Sequence, residues 1–300
     1  MSNSVPTNFL DRYTIYRKSE DSEDTVLRDR LTDAFVLMKE LLMSSNEEFK
    51  KIVETLEAQR CLKHEHLLTL IDYYTAGEVG EDQLTCHKVV TFFQYSTHNL
   101  LDEIEVRYSE NRLFEESEVW SILCSSVLGL AYLQKESVGH GCISPIDIFI
   151  ASDGTIQVVD PSVATSSPFV LQEGYYYSPE IMEYFRSPDD VATEDLDIFK
   201  SDVFALGMCV LHAALLESTN DCFDYENCSV DYETINSKLA LFAEHYPPEL
   251  AELIASMLNE APASRPDFID LETQLLTMTQ SKQSSAKKSF SNGTHQHFAS

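Results

Sequence analysis

The spacing of apolar residues changes once along this chain, close to residue 93, and that change constrains the fold more than any other feature. Before it, short runs with strand character occur at Tyr13–Tyr16, Ala34–Lys39, Leu67–Tyr74 and His87–Phe93. After it, apolar residues recur every three or four positions, which is the period of helices that bury one face. A strand-rich quarter therefore precedes a helix-rich remainder, and the sequence predicts an α+β fold.

Local signals place several of the elements. Helical spacing begins after Ser45, which suits the N-cap position, and the amphipathic segment Glu116–Gln134 predicts a second helix. Ile148–Ile150 and Ile156–Val159 predict a hairpin, because Asp153-Gly154 between them is a typical hairpin turn. Later helices are predicted at 202–216, 233–245, 248–258 and 266–278.

The charge balance narrows the choice of partners. The chain has 21 Lys and Arg against 50 Asp and Glu, a formal net charge of −29. Such a surface repels nucleic acid and anionic membranes, so we expect neither as a partner. We expect protein partners with basic surfaces. With 43% hydrophobic residues, the chain can also bury a sizeable core.

Cysteine usage and hydropathy indicate a soluble, intracellular protein of the cytoplasm. The seven Cys are scattered and form no C-x-x-C pair, which argues against a disulfide framework or a zinc site. The first residues lack the basic start and apolar run of a secretion signal. The most apolar stretch, Ala205–Leu216, is interrupted by His212.

Several short segments occur in an order that matches a known series of motifs. VLMK ends at Lys39, GHGCISPID spans 139–147, and VVDPS spans 158–162. GYYYSPE at 174–180, KSDVFALG at 200–207 and SRPDF at 264–268 follow. In this order they resemble the V-A-I-K, H-R-D-L-K-P-x-N, D-F-G and A-P-E motifs, the central helix and the late arginine of the eukaryotic protein-kinase domain.

The resemblance covers residues 11–278 and implies a two-lobed protein-kinase-like fold. It implies a small β-rich N-lobe with one regulatory helix at about 11–93, and a larger, mainly α-helical C-lobe at about 97–278. The last residues, 281–300, are rich in Ser, hold three Lys and no acid, and lack apolar periodicity, so we expect a disordered basic tail.

The polar residues that match the family best have architectural roles there. In the family, the residue at Glu180 pairs with the one at Arg265. The residue at Asp202 accepts hydrogen bonds from the catalytic-loop backbone, here at His140 and Gly141. The resemblance therefore implies that these contacts hold the C-lobe together. Surface placement of the same side chains is the alternative.

The residues that carry the family's chemistry are replaced. Cys142 stands at the catalytic aspartate, Gly141 at the arginine and Ser144 at the lysine of the catalytic loop. A thiol offers no carboxylate to accept the proton of a substrate hydroxyl, and its ordinary pKa near 8.5 leaves it largely protonated. The degenerate loop His140, Gly141, Cys142, Ser144 thus contains no intact catalytic group.

The nucleotide site is also altered. The family's Gly-rich loop is replaced by SEDSEDT, which brings four carboxylates to a place where phosphates would bind, or forms a solvated hairpin tip. Lys39 is the candidate nucleotide-binding lysine, or else a strand-end lysine with its head in solvent. Its expected glutamate partner is Glu54 or Glu57.

The metal ligands are open to two interpretations. Asp160 stands at the Asp of D-F-G and Asp147 replaces the family's Asn, so both are candidate magnesium ligands, and Asp160 is a candidate nucleotide-binding residue with Lys39. Alternatively, the sequence Asp-Pro-Ser at 160–162 forms a type I turn in which the carboxylate accepts local backbone hydrogen bonds.

The sequence therefore predicts a pseudokinase, a kinase-fold scaffold or allosteric binding protein without effective phosphotransfer and with no required cofactor. Two alternatives stay open. One is a weak or atypical ATP-dependent Ser/Thr kinase that uses Asp147 or Asp160 in a borrowed role. The other is a sensor that binds ATP and Mg²⁺ without turnover.

Overall fold

The computed structural model describes residues 11–18, 25–79, 85–141, 143–151, 153–159, 171 and 173–278. These residues form two compact units, the first drawn from residues 1–113 and 144–170 and the second from 114–143 and 171–300. The predictions for the acidic loop at Glu20, Asp21, Glu23 and Asp24, for Cys142, for Asp160 and for the tail at 281–300 fall outside the described residues.

The first unit is built on a five-stranded antiparallel sheet, with a three-stranded sheet beside it. The strand order is β1-β2-β3-β6-β5 in the large sheet and β4-β8-β7 in the small one. The strands are β1 Tyr13–Lys18, β2 Thr25–Asp29, β3 Phe35–Met43, β4 Leu67–Leu68, β5 Leu70–Val79, β6 Thr85–Tyr95, β7 Ile148–Ile150 and β8 Ile156–Val159.

Two helices complete this unit. Helix α1, Asn46–Gln59, begins after Ser45, whose side chain accepts a hydrogen bond from the amide of Glu48, as the sequence predicts. Its Leu56 packs on one face of the large sheet. Helix α2, Leu100–Glu110, begins after Asn99 with a reciprocal capping box, in which each side chain accepts from the other residue's backbone amide.

The second unit is mainly helical. Its elements are α3 Glu116–Lys135, α4 Pro179–Arg186, α5 Ile198–Leu215, the short hairpin β9 Phe223–Asp224 and β10 Ser229–Val230, α6 Tyr232–His245, α7 Pro248–Met257 and α8 at 268–278. The α+β, two-lobed fold class predicted from the sequence is confirmed.

Helix α5 is the core of the second unit. Every residue from Ser201 to Leu215 is buried, and the helix packs against α3, α6 and α7. Within the described part of the chain it is the one helix long and apolar enough to span a membrane, but 83% of it is buried in the protein. A helix at the centre of a protein core is mostly apolar because most of its sides meet apolar neighbours.

Two predicted helix boundaries were wrong because capping side chains move them. Helix α5 begins at Ile198 rather than 202, since Asp197 accepts hydrogen bonds from the amides of Phe199 and Lys200. Helix α8 begins at 268 rather than 266, because Asp267 accepts from the amide of Asp270 and so caps the helix after Pro266.

The Asn99 cap yields a stability prediction. Asn99→Ala removes the acceptor for the amide of Asp102, and we expect a loss of about 1 kcal/mol in the free energy of unfolding. Asn99→Ser keeps a capping oxygen and should stay within a few tenths of a kcal/mol of wild type. Urea unfolding of both variants measures this, and equal losses would contradict the assignment of the cap.

Candidate functional site

In the second unit, one buried carboxylate holds the loop at His140 and Gly141. Asp202 lies near the start of α5 and is 2% exposed. Its two oxygens accept hydrogen bonds from the backbone amides of His140 and Gly141, each at 2.7 Å. Burial raises the pKa of Asp202 to about 7, and the two amides oppose that rise. Gly141 has φ of 82°, a conformation that glycine adopts without strain.

A buried ion pair also lies in this unit. Arg265 Nη1 and Nη2 donate to Oε1 and Oε2 of Glu180 at 2.8 and 3.3 Å, and the arginine side chain is 0% exposed. The remaining guanidinium donors reach the carbonyls of Asn259 and Lys200, and the group lies 5.2 Å from the ring centre of Phe204. The arginine is thus held by a paired charge and by satisfied hydrogen bonds.

A tyrosine–histidine pair holds the segment that precedes α4. The hydroxyl of Tyr176 and Nδ1 of His212 lie 2.8 Å apart in the interior, and the tyrosine ring stacks on Phe223. Burial, followed by the charge of Lys238, lowers the pKa of His212 to about 4. The imidazole is therefore neutral at physiological pH and packs as part of the core.

In the first unit, Ser144 and Asp147 bond to each other. Both the amide and the hydroxyl of Ser144 donate to Oδ2 of Asp147, at 2.9 and 2.7 Å, around the short 3₁₀ turn Pro145–Asp147. Asp147 is buried, and burial raises its pKa to about 6, against the hydrogen bonds from Ser144 and the charge of Lys39. This carboxylate closes the turn at the end of the loop.

Lys39 lies on β3 in the same unit, half-buried, where its charge acts on Asp147. Its two candidate glutamate partners, Glu54 and Glu57, are both exposed on α1. Glu57 accepts a hydrogen bond of 2.5 Å from the hydroxyl of Tyr73. Burial, and then Glu57, raise the pKa of that hydroxyl to about 12. Glu57 is therefore turned towards β5.

Among the described residues, Lys39 fits a nucleotide phosphate, and Asp147, one of the two candidate magnesium ligands, is engaged by Ser144. Lys39 supplies the positive charge that a phosphate needs. Oδ2 of Asp147 already accepts two hydrogen bonds from Ser144, and it would have to exchange them to bind Mg²⁺. Within the residues that the structure describes, no group of three or more His, Cys, Asp or Glu side chains could hold a metal ion. Asp160 and Cys142 lie outside them.

Two features of the site were missed by the sequence predictions. The bond between Ser144 and Asp147 has a recognisable signal, because S-x-x-D is a capping-box spacing that could have been read at 144–147. The pairing of Tyr176 with His212 has none, since 36 positions separate the two residues and only the packing of α5 brings them together.

The buried ion pair predicts a large stability effect. Glu180→Gln leaves the guanidinium of Arg265 buried without a countercharge, and we expect a loss of about 3 kcal/mol in the free energy of unfolding. Glu183→Gln is the matched control, because it breaks an exposed pair with Arg186 on the same helix and should cost less than about 1 kcal/mol. Chemical unfolding measures both, and similar losses would contradict the buried pairing.

Asp147 predicts a pH dependence. A carboxyl group with a pKa of about 6 in the folded chain and about 4 in the unfolded chain binds more protons when folded, so its contribution to stability falls as pH rises through that window. Asp147→Asn keeps an acceptor for Ser144 and removes the titration. Wild type should therefore lose about 3 kcal/mol relative to this variant between pH 3 and 7.

Asp153→Asn is the control with the opposite sign. The amide of Thr155 lowers the pKa of Asp153, so wild type should gain stability relative to this variant as pH rises from acid. Melting curves from pH 3 to 8 measure both differences in stability. The titration of Asp202 contributes equally to all three proteins, so it does not affect the differences. A difference between wild type and Asp147→Asn that does not change with pH would contradict the raised pKa of Asp147.

Comparison with known proteins supplies a family. A family model described as Protein kinase domain matches residues 25–287. The chain is 28% identical to mouse serine/threonine-protein kinase Nek4 over 169 residues, which are 54% of this chain and 20% of Nek4. It is 26% identical over 235 residues to the nuclear receptor-binding protein homolog of Drosophila melanogaster, covering 77% and 35% of the two chains.

A third relative is serine/threonine-protein kinase stk11 of Xenopus laevis, which is 22% identical over 255 residues, 83% of this chain and 55% of the relative. The chain thus spans between a fifth and about half of the length of these relatives. The ordered motifs, the two units and a family model that covers most of the sequence agree, and the chain belongs to the protein kinase domain family.

Proposed function

We propose that this chain is a pseudokinase, a protein-kinase fold that acts as a scaffold or allosteric binding partner and does not transfer phosphate effectively. The observation that carries the proposal is the state of the loop at 140–147. Cys142 stands at the position of the catalytic aspartate, and the side chains at the next two functional positions, Ser144 and Asp147, hydrogen-bond to each other.

Phosphoryl transfer in this family depends on positioning and on charge neutralisation rather than on covalent chemistry. A serine hydroxyl in place of the loop lysine brings no positive charge to a transferring phosphate. In this chain that hydroxyl donates to Asp147 instead. A protonated thiol at 142 would not accept the proton of an attacking hydroxyl. These changes weaken the same step of the reaction.

The acidic composition supports a role in binding basic protein surfaces in the cytoplasm. With a net charge of −29, association with a basic partner should be fast at low salt and should weaken as salt screens charges beyond about 8–10 Å. The relatives include mouse serine/threonine-protein kinase Nek4 and the nuclear receptor-binding protein homolog of Drosophila melanogaster.

The test of the proposal is a transfer assay with a matched variant. Purified chain, Mg-ATP labelled in the terminal phosphate and a generic protein substrate should give no label above that of Lys39→Met, for either the substrate or the chain itself. Mouse Nek4 serves as the positive control. If wild type transfers labelled phosphate to the substrate or to itself, and both Lys39→Met and Asp160→Ala abolish the transfer, the proposal is contradicted and the chain is an atypical kinase.

A second function, a nucleotide sensor without turnover, is favoured by one observation, the positive charge of Lys39 on β3, which also acts on Asp147. A ligand at a hundred times its Kd stabilises the folded state by about 2.7 kcal/mol, which a melting curve detects. For an empty scaffold we expect the same Tm with and without millimolar Mg-ATP. A rise in Tm that disappears in Lys39→Met would instead support the sensor.

A further inference from the structure

The five-stranded sheet carries apolar side chains on both of its faces. One face packs against Leu56 of α1. The opposite face holds a second buried cluster, which comprises Tyr13, Leu27, Val36, Val90 and Phe92. An antiparallel sheet with one face in water normally alternates apolar and polar residues. Strand β3 reads FVLMKELLM and does not alternate in this way. The second face is therefore suited to an apolar ligand.

A groove with a volume of about 640 Å³ crosses this second face. The strand register sets its floor, because Met38 pairs with Thr25 on one side and with Phe92 on the other. The exposed side chain of Ile15 lines one edge, and Leu42, on the same face of β3, is 56% exposed beyond the other. Small-molecule sites are typically concave, mostly apolar and of this volume, with a few polar groups that fix orientation.

Charge identifies the class of ligand. Of the described residues that line the groove, Lys18, Glu40 and Lys88 carry charge. Nζ of Lys88 lies 2.8 Å from a carboxylate oxygen of Glu40, so these two charges compensate each other. Lys18 therefore leaves the described part of the lining with a local net charge of +1, although the whole chain carries −29. A second copy of so acidic a chain would be repelled over its whole surface, whereas an apolar molecule with one negative charge is complementary to this local charge.

We propose that this groove binds a small amphipathic anion, an apolar body that ends in a carboxylate. The hydrocarbon lies over Met38, Val90 and Phe92, and the carboxylate meets Lys18. The site lies on the sheet face opposite α1, so it is distinct from the surroundings of Lys39 and does not depend on the proposed function.

Titration calorimetry of the full chain with decanoate, below its micelle concentration, tests the proposal. We expect saturable binding of one molecule per chain. Lys18→Glu should weaken the affinity by roughly three- to tenfold, since it exchanges an exposed attraction for a repulsion. Lys51→Glu, an equal change of charge at an exposed lysine of α1, should leave the affinity unchanged. Met38→Glu should abolish binding, because it places a carboxylate in the floor.

Met38→Glu is interpreted only if its melting curve shows a folded protein, and Lys18→Glu, at an exposed position, tests the proposal without that condition. Absence of saturable binding by decanoate would overturn the site. Binding that is equal in wild type and Lys18→Glu would also overturn it. Tighter binding of decylammonium than of decanoate would overturn the proposal as well. It would mean that the acidic run at 19–24, next to Lys18 in sequence, makes the groove negatively charged.

Discussion

The loop that starts at His140 depends on one buried carboxylate. Asp202 accepts hydrogen bonds from two backbone amides inside the core of the second unit, where the buried residues of α5 exclude water from the interaction. Burial makes the ionised form costly, which the raised pKa expresses, and the two short hydrogen bonds offset part of that cost. Removing either partner would leave a polar group unsatisfied in the interior.

The rest of the site follows the same pattern, in which polar side chains serve the fold. Glu180 is occupied by Arg265, and the oxygen of Asp147 that faces the loop is occupied by Ser144. In an active kinase domain, groups in the loop at 140–147 must be available for nucleotide, metal and substrate. Here the described groups of the loop form hydrogen bonds within the chain, so they stabilise the fold whether or not phosphate is transferred.

The sequence predicted most of the fold because apolar spacing and caps are local signals. Ser45 at the start of α1 and the hairpin at β7 and β8 are confirmed on these grounds. Boundaries failed where a nearby aspartate caps the helix, at Asp197 and Asp267. Helix α2 was not predicted, because it is short and buries only three of its residues, so its apolar spacing is weak.

The site was less predictable than the fold. Comparison of each position with the family's motif marks Ser144 and Asp147 as two separate losses, one of a cation and one of an amide. The structure shows that the two residues bond to each other, since the amide and the hydroxyl of Ser144 both donate to Asp147. The role of Asp147 as a magnesium ligand stays a prediction. Its hydrogen bonds in the structure are to Ser144 of the same loop.

The most direct test of this account is a crystal structure of the full chain grown with a non-hydrolysable ATP analogue and Mn²⁺, with anomalous diffraction used to locate the metal. We expect Asp147 to keep both hydrogen bonds from Ser144 and to have no manganese peak within coordination distance of its oxygens. A peak on Asp147, with the serine bonds broken and the nucleotide's terminal phosphate beside it, would contradict the account.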